Sequence, residues 1–308
     1  MQQKKPDREE KERSHWGFRG MTVRDWLQML IVPLVLVGIG FLFDTQQDAR
    51  QRAMEEQQRL VEERRAEAQQ EVEEQRAQDT ALQAYLDQMS LLMLEKDLHD
   101  SEAGSDVRTL ARARTLTVLR RLDGTRKGSV VQFLAESDLI VKDSSVLDLA
   151  GADLREVILN DADLSGTELS GLDFNPPPYD GPAQLFGTNL SDADLSHAIL
   201  GATDLHNARL IRADLSNANL GEAYLRGADL SGADLSNALL QDTFLYDPRF
   251  PEDAADLSGV DLSDAYLEGA KVTEEQLEQA SSLEGATMPN GQKYEDWIKD
   301  HQGHEEDG

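Results

Sequence analysis

Apolar residues follow one pattern after another along this chain, and the first is an almost continuous run. From Trp26 to Phe43 the sequence reads WLQMLIVPLVLVGIGFLF, interrupted only by Gln28. A helix of this length extends about 27 Å, which is enough to cross the hydrocarbon core of a bilayer. No small-residue cleavage motif follows, which argues against a removed signal peptide. The pattern predicts a transmembrane helix at 26–43, preceded by a polar segment at 1–25.

Basic residues are distributed unequally around this apolar segment. Seven lysines and arginines precede Trp26, whereas three arginines lie in the twenty residues after Phe43. Positively charged flanks favour the cytoplasmic side of a membrane. We therefore expect a single-pass membrane protein with a cytoplasmic N-terminus and an extracytoplasmic C-terminal part.

Residues 44–79 show a second pattern, with charges of both signs at helical spacing and no glycine or proline. Such pairs stabilise an exposed helix. Met54, Val61 and Ala68 are spaced by seven, which is a thin heptad seam. The segment predicts a helical or coiled-coil stalk of about 50 Å. A homodimer through this stalk and a solitary stalk are both compatible with the pattern.

Between residues 80 and 138 the apolar spacing becomes typical of packed helices. An amphipathic helix is expected from Leu82 to Leu98, and a second should begin near Ser105 and stop at Asp123 and Gly124. A third is expected to begin at Ser129, which forms an S-x-x-Q capping box with Gln132. Together they predict a small helical cap domain that covers the open end of the segment that follows.

The fourth pattern has a period of five residues and begins at Leu149. Leucine or phenylalanine occupies the centre of each unit, and a small residue usually stands two positions earlier. Leucines five apart form no stripe on a helix, which turns about 100° per residue. On a straight strand they would alternate between faces. The chain must therefore turn a corner in every unit, with the leucines and small residues directed to a common axis.

These units, among them ADLRE, ADLSG, TNLSD and ADLSN, resemble the pentapeptide-repeat family. The resemblance covers about residues 145–290 and implies a mainly β solenoid, a right-handed quadrilateral β-helix with four repeats per coil. We assign this β-helix to 139–272. The preceding sequence RTLARARTLTVLRRLDGTRKGSVVQFLAESDLI also resembles that of membrane-tethered bacterial members.

Two segments interrupt the repeats. Residues 175–184 separate Phe174 from Leu185, and residues 247–253 lie between Leu245 and Leu257. Neither spacing is a multiple of five, so each segment should leave the solenoid as a loop. A tolerated surface insertion and a recognition loop are both possible roles. Beyond the repeats, Thr273 and Gln276 form a capping box that predicts a C-terminal capping helix within 273–300, followed by a disordered tail at 301–308.

Composition and charge restrict the chemistry. The formal net charge is −29, cysteine is absent, and a polyanion does not bind nucleic acid by neutralising phosphates. We find no candidate catalytic, cofactor-binding or metal-binding residues, and expect neither an enzyme nor a cofactor. The repeat register makes the aspartates before each leucine, such as Asp153, Asp163, Asp194 and Asp229, an outward-facing ladder. Gly124–Ser129 contains the residue types of a phosphate-binding loop, but in the wrong order. His301 and His304 could bind a metal ion only loosely, because they lie in the expected disordered tail.

One local feature departs from the acidic background. A basic island is formed by Arg108, Arg112, Arg114, Arg120, Arg121, Arg126 and Lys127. These side chains are expected either to bind acidic and carbonyl groups of the same chain or to meet an anionic partner.

The sequence thus favours a membrane-anchored, non-catalytic scaffold that binds protein partners, whose identity it does not specify. The alternative is an acidic DNA mimic, because some pentapeptide-repeat proteins resemble duplex DNA and occupy type II topoisomerases. Between residues 144 and 272 there are 23 acidic and 6 basic residues, as such a mimic requires. A membrane anchor is foreign to the soluble mimics.

Overall fold

A computed structural model describes residues 23–175 and 182–302. The helices are α1 (Val23–Glu95), α2 (Asp106–Leu119), α3 (Gly124–Glu136), α4 (Glu274–Leu277) and α5 (Tyr294–Gln302), with a 3-10 turn at Pro251–Asp253. The expected segment at 1–25, the first interruption and the tail fall wholly or partly outside these residues. The chain divides into two compact units, Met1–Val72 and Glu73–Gly308.

The first unit is described from Val23 onward and consists of the first part of α1. This part includes Pro33 and is long and apolar enough to cross a membrane. The helix continues without a break through the positions where 26–43, 44–79 and 80–95 meet. The change from apolar to polar composition at Phe43 therefore does not end the helix, because residues 41–95 contain no glycine or proline.

The second unit opens with the last turns of α1, which pack on α2 and α3. Tyr85, Met89 and Leu92 are buried, and the Tyr85 hydroxyl lies 2.9 Å from the Thr115 hydroxyl. The Tyr85 ring also meets Phe133 edge-on. The amphipathic spacing had indicated this packing face.

The boundary between α2 and α3 differs from the expectation. Ser105 caps α2 as predicted, but the helix ends at Leu119 instead of Asp123 and Gly124. Asp123 is the N-cap of α3 and accepts a hydrogen bond from the Arg126 N–H at 2.9 Å, so α3 begins at Gly124. The predicted start at Ser129 was wrong because a competing cap lies six residues earlier, at Asp123.

The repeats form a solenoid of isolated parallel β-bridges, without a longer strand in the described residues. Asp194 pairs with Asp214, and Asp214 pairs with Asp234, so each coil contains twenty residues, or four repeats. The Leu195 N–H donates to the Asp214 carbonyl at 2.7 Å. The coil is therefore quadrilateral, with one bridge on each side and a turn at each corner.

The corners have a recurrent backbone conformation. The residue two positions after each central leucine usually has a positive φ, as at Ala202 (54°), Arg212 (55°) and Asn217 (59°). This left-handed conformation is uncommon outside glycine, asparagine and aspartate. A hydrogen bond from the Ala198 N–H to the Leu195 carbonyl at 3.1 Å closes one such turn. The predicted corner in every repeat is confirmed.

The interior has the expected register. All thirteen central leucines from Leu185 to Leu245 are at most 2% exposed, and Phe174 is fully buried. The small residues two positions earlier are also buried, as at Ala193, Ala213 and Ala233. Each buried leucine contributes on the order of 2 kcal/mol, so stability is spread over many similar layers.

The two interruptions are absorbed without loss of register. Bridges that span the first interruption link residues 26 apart, such as Asp163 and Asn189, and those that span the second link residues 27 apart, such as Asp229 and Asp256. The coils that contain the two interruptions are therefore six and seven residues longer than the twenty-residue coil. The Ala255 N–H donates to the Leu245 carbonyl at 2.9 Å and closes the second insertion, called here the insertion loop (247–253).

The C-terminal end of the solenoid lies beyond the expected limit at 272. The Thr273–Gln276 capping box is present and begins α4. However, bridges from Asp261 to Ser282 and from Tyr266 to Thr287 add part of another coil. The segment 273–300 is thus not a single capping helix. Leu283 and Met288 are buried and five apart, and they supply two further inward positions.

Candidate interaction site

Stacked coils place equivalent outward residues in columns along each side of the solenoid. One column contains Asp204, Tyr224, Phe244 and Lys271, linked in this order by β-bridges. The rings of Tyr224 and Phe244 are nearly parallel, with centroids 5.0 Å apart, and His206 stacks on Tyr224 at 5.7 Å. His206, Tyr224 and Phe244 form the aromatic stack. Tyr224 and Phe244 are 39% and 37% exposed, so the stack is part of the surface.

The insertion loop lies beside this stack. Asp247 accepts hydrogen bonds from the Arg249 N–H and guanidinium, and Pro251–Asp253 form the 3-10 turn. The Arg226 guanidinium lies over the Phe250 ring, 4.6 Å from its centroid. The same guanidinium pairs with Asp253 at 3.2 Å. Arg226 thus connects the solenoid to both a ring and a carboxylate of the loop.

The stack and the loop enclose a pocket of about 740 Å³. Its walls come from the stack, from the insertion loop and its flank, and from the following coil. The lining residues are His206, Tyr224, Arg226, Phe244, Tyr246, Asp247, Pro248, Arg249, Phe250, Ala270, Lys271 and Val272. Pockets of this size with apolar walls and a few polar groups are typical binding sites.

Gln276 fixes the two ends of the insertion loop. Its buried amide nitrogen donates to the carbonyl of Ala255 at 2.8 Å and to that of Leu245 at 3.3 Å. Its amide oxygen accepts from the Thr273 N–H at 2.9 Å as part of the capping box. One side chain therefore caps α4 and also satisfies carbonyls at both ends of the loop. This arrangement holds the pocket wall on the rigid solenoid.

The charges around the pocket differ from those of the rest of the solenoid. Arg226, Arg249 and Lys271 line it, three of the six basic residues between 144 and 272. Arg249 pairs with Asp247 at 2.7 Å, and its hydrogen bonds lower the pKa of that carboxyl to about 2. Lys271 is exposed and has no acidic partner within ion-pair distance in the described part of the chain. The pocket is therefore locally basic within an acidic domain.

The outward aspartates serve the local backbone. Asp163, Asp194 and Asp229 each accept a hydrogen bond from the N–H two residues later, at 3.1, 2.9 and 3.1 Å. Asp153 does the same for Arg155 at 3.3 Å. These are turns of the kind that aspartate side chains commonly stabilise. The ladder points outward, as the repeat register indicated.

The remaining sequence candidates are Gly124–Ser129 and two histidines near the C-terminus. Gly124–Ser129 lie inside α3 and form no phosphate loop. The described residues contain no cluster of histidine and carboxylate groups suited to a metal ion. The side chains of His301 and His304 lie outside the described part of the structure.

The basic island is divided between two environments. Arg112 donates to the carbonyls of Asp148 and Ala150 at 2.9 and 2.7 Å. Lys127 is buried and donates to the Arg155 carbonyl at 3.0 Å, with Asp153 at 3.4 Å. Arg108 and Arg126 also bond within the chain, as one of the two interpretations predicted. The side chains of Arg114, Arg120 and Arg121 make no ion pair or hydrogen bond among the described residues.

The sequence analysis missed the pocket, although it contained a signal. Tyr224 and Phe244 replace the usual aspartate or asparagine before the central leucine and are twenty residues apart. Twenty residues is one coil, so these rings had to lie in adjacent layers of one column.

Comparison with known proteins identifies the repeats. The family model described as Pentapeptide repeats, in eight copies, matches residues 148–175, 188–227 and 203–242. These residues of the chain therefore contain pentapeptide repeats. Repeats of this family form a right-handed quadrilateral β-helix, which agrees with coils of four repeats. A search of curated proteins gives no match.

Solved structures of pentapeptide-repeat proteins are similar to parts of the chain. One is HetL of Nostoc sp. strain PCC 7120, a protein involved in heterocyst differentiation regulation. The two sequences are 33% identical in a region that covers 46% of this chain and 55% of HetL, with a TM-score of 0.23. The chain thus spans about half of HetL.

Two further matches are more distant. A protein of the Arabidopsis thaliana thylakoid lumen is 24% identical over 43% of this chain and 87% of its own, with a TM-score of 0.29. QnrB1, a plasmid-mediated fluoroquinolone resistance protein, is 18% identical over 48% of this chain and 85% of its own, with a TM-score of 0.20. Superpositions with TM-scores this low support no functional conclusion.

Proposed function

We propose that this chain is a membrane-anchored, non-catalytic scaffold that binds a protein partner in the pocket beside the aromatic stack. The observation that carries the proposal is the pocket itself, where exposed rings and guanidinium groups meet on a rigid solenoid. Aromatic residues and arginine are enriched at the centres of protein interfaces. Binding residues also tend to lie on loops that a rigid scaffold holds in place.

The surrounding structure supports a binding role over a chemical one. The outward carboxylates stabilise local turns, and the pocket's arginines pair with aspartates. His206 pairs with Asp204 at 2.6 Å, and the described residues that line the pocket include no serine, threonine or cysteine that could act as a nucleophile beside it. The DNA-mimic alternative is not favoured, because one column carries aromatic rings and Lys271 in place of a continuous row of carboxylates.

The membrane anchor is a second part of the proposal. It is supported by the apolar run at 26–43, by the helix found there, and by the excess of basic residues before it. We infer a cytoplasmic N-terminus, an extracytoplasmic repeat domain and a helical stalk at 44–79 that is suited to homodimer formation. A reporter active only outside the cytoplasm, fused after Gly308, should be active. Protection of the repeat domain from protease in intact spheroplasts would reverse the orientation.

The binding role is tested by comparing what the full-length protein captures in cells that naturally carry it. Phe250→Ser removes an exposed ring of the pocket, and Arg212→Ser is a matched control at an exposed arginine outside it. After mild cross-linking, a specific protein should be lost with Phe250→Ser and retained with Arg212→Ser. Identical captured proteins for both variants would contradict the proposal.

A further inference from the structure

The apolar part of the pocket is suited to a flat side chain. Tyr224 and Phe244 present stacked rings from the solenoid, Phe250 presents a ring from the loop, and Val272 closes the wall. The Arg226 guanidinium lies 4.6 Å from the centroid of the Phe250 ring. Aromatic pairs in offset or edge-to-face contact contribute affinity beyond that of their buried area. A ligand ring is therefore the group that would use these walls best.

The charges of the pocket indicate what should stand next to that ring. Arg226 and Arg249 are each paired with an aspartate, at 3.2 and 2.7 Å. Lys271 follows Phe244 in the same column and has no such partner among the described residues. One unpaired ammonium group at the edge of an apolar pocket matches one carboxylate.

The wider electrostatics exclude more highly charged ligands. The chain carries a formal net charge of −29, Asp247 lines the pocket, and Asp253 pairs with Arg226 of the pocket wall. A ligand with several phosphates would meet this field with only one unpaired cation to compensate it. A short peptide segment has the single carboxylate that the site accepts.

We infer that the pocket binds an extended peptide segment in which an aromatic residue adjoins an aspartate or glutamate. This inference rests on the proposed function and specifies the chemistry of the partner. The ring packs against Phe244 and Phe250, and the neighbouring carboxylate pairs with Lys271. A partner segment that carries a lysine in place of the acid would set two ammonium groups side by side.

The inference is tested with the full-length protein in detergent micelles and four blocked tetrapeptides. Their central pairs are Phe-Asp, Phe-Asn, Phe-Lys and Ala-Asp, and fluorine NMR of a fluorinated phenylalanine, or of the blocking group for Ala-Asp, reports weak binding. We expect the Phe-Asp peptide to bind about fivefold more tightly than Phe-Asn, the size of one exposed ion pair. Phe-Lys and Ala-Asp should bind more weakly still.

Two variants assign the effect to the pocket. Lys271→Gln should abolish the preference for Phe-Asp over Phe-Asn, whereas Arg212→Gln, at a distant exposed arginine, should leave it unchanged. Equal binding of Phe-Asp and Phe-Asn, a preference for Phe-Lys, or tighter binding of adenosine monophosphate would overturn the inference. If capture of the cellular partner is still lost with Phe250→Ser, any of these peptide results would leave the proposed function intact. Loss of both peptide binding and Phe250-dependent capture would overturn both.

Discussion

Gly124 packs its bare backbone against the carbonyl oxygen of Glu156, where an added Cβ would stand 1.9 Å from that oxygen. One turn later, a Cβ on Gly128 would stand 2.0 Å from the carbonyl oxygen of Ile158. The Ile158 N–H donates to the Gly124 carbonyl at 2.9 Å. Two glycines on one face of α3 thus bring the helix into direct backbone contact with the first coil.

Gly124→Ala tests this contact. Alanine raises intrinsic helix stability by up to about 1 kcal/mol relative to glycine, so an isolated helix would gain from the change. Here the new methyl group would overlap a backbone oxygen, and we expect a net loss of about 2 kcal/mol in the free energy of unfolding. Gly201→Ala is the control, because its Cβ would have no neighbour closer than 3.5 Å. An unchanged melting temperature for Gly124→Ala would mean that α3 does not dock in this way.

The inward and outward positions of a repeat should respond oppositely to substitution. Leu215 is fully buried, and Leu215→Asp would place an unpaired charge among leucines at a cost of several kcal/mol. Asp214 points outward and accepts the Ser216 N–H at 3.0 Å, a bond that serine can replace, so Asp214→Ser should be nearly neutral. Urea unfolding of the full-length protein in detergent provides the comparison. Equal destabilisation by the two variants would refute the register.

Asp153 should make the stability of the second unit sensitive to acid. A hydrogen bond from Arg155 and the charge of Lys127 lower its pKa from 3.8 to about 2. Because the folded-state pKa is the lower one, the carboxylate stabilises the fold above about pH 4, and this contribution is lost as the pH falls towards 2. Asp153→Asn should therefore lower the melting temperature at pH 7 and have little effect near pH 2. A difference in melting temperature between the two proteins that stays constant from pH 7 to pH 2 would exclude the ionic contribution.

Gln276 should control the insertion loop more than the solenoid. Gln276→Leu removes the amide that bonds the carbonyls of Leu245 and Ala255; the Leu245 carbonyl keeps the Ala255 N–H, but the Ala255 carbonyl loses its donor, at about 1–3 kcal/mol. Hydrogen exchange should accelerate in 246–256, with little change in the coils before Ala223. Gln279→Leu, at an exposed glutamine, is the control. Uniform acceleration along the solenoid would show that Gln276 stabilises the whole domain instead of the loop.

The solenoid was predictable because its signal is repeated. Leu185 to Leu245 and the small residues before them repeat at one spacing, so a single geometric argument assigns every inward position. The capping box at Thr273 was equally local and was confirmed. The last coil was left out of the assigned β-helix, although the resemblance extends to about residue 290, because Met288 replaces the usual leucine and this coil has 21 residues, as between Asp261 and Ser282.

The remaining differences depend on contacts that are distant in sequence. The local spacing predicted a start of α3 at Ser129, whereas the helix begins after Asp123 and its first turns contact the first coil through Gly124 and Gly128. The pocket depends on Tyr224, Phe244 and Phe250 being brought together by one coil and one insertion. A loop's position beside a column cannot be read from its own seven residues.

The central claim is that a protein partner occupies the pocket, and cross-linking from defined positions measures it most directly. A photoreactive phenylalanine analogue at position 250 retains a ring in the pocket, and the same residue at Asp234 samples an outward column away from it. Irradiation of cells carrying the full-length protein should give a discrete cross-linked partner from position 250, weakened by Lys271→Gln, and none from position 234. Absence of a cross-link at 250, or the same products from both positions, would contradict the account.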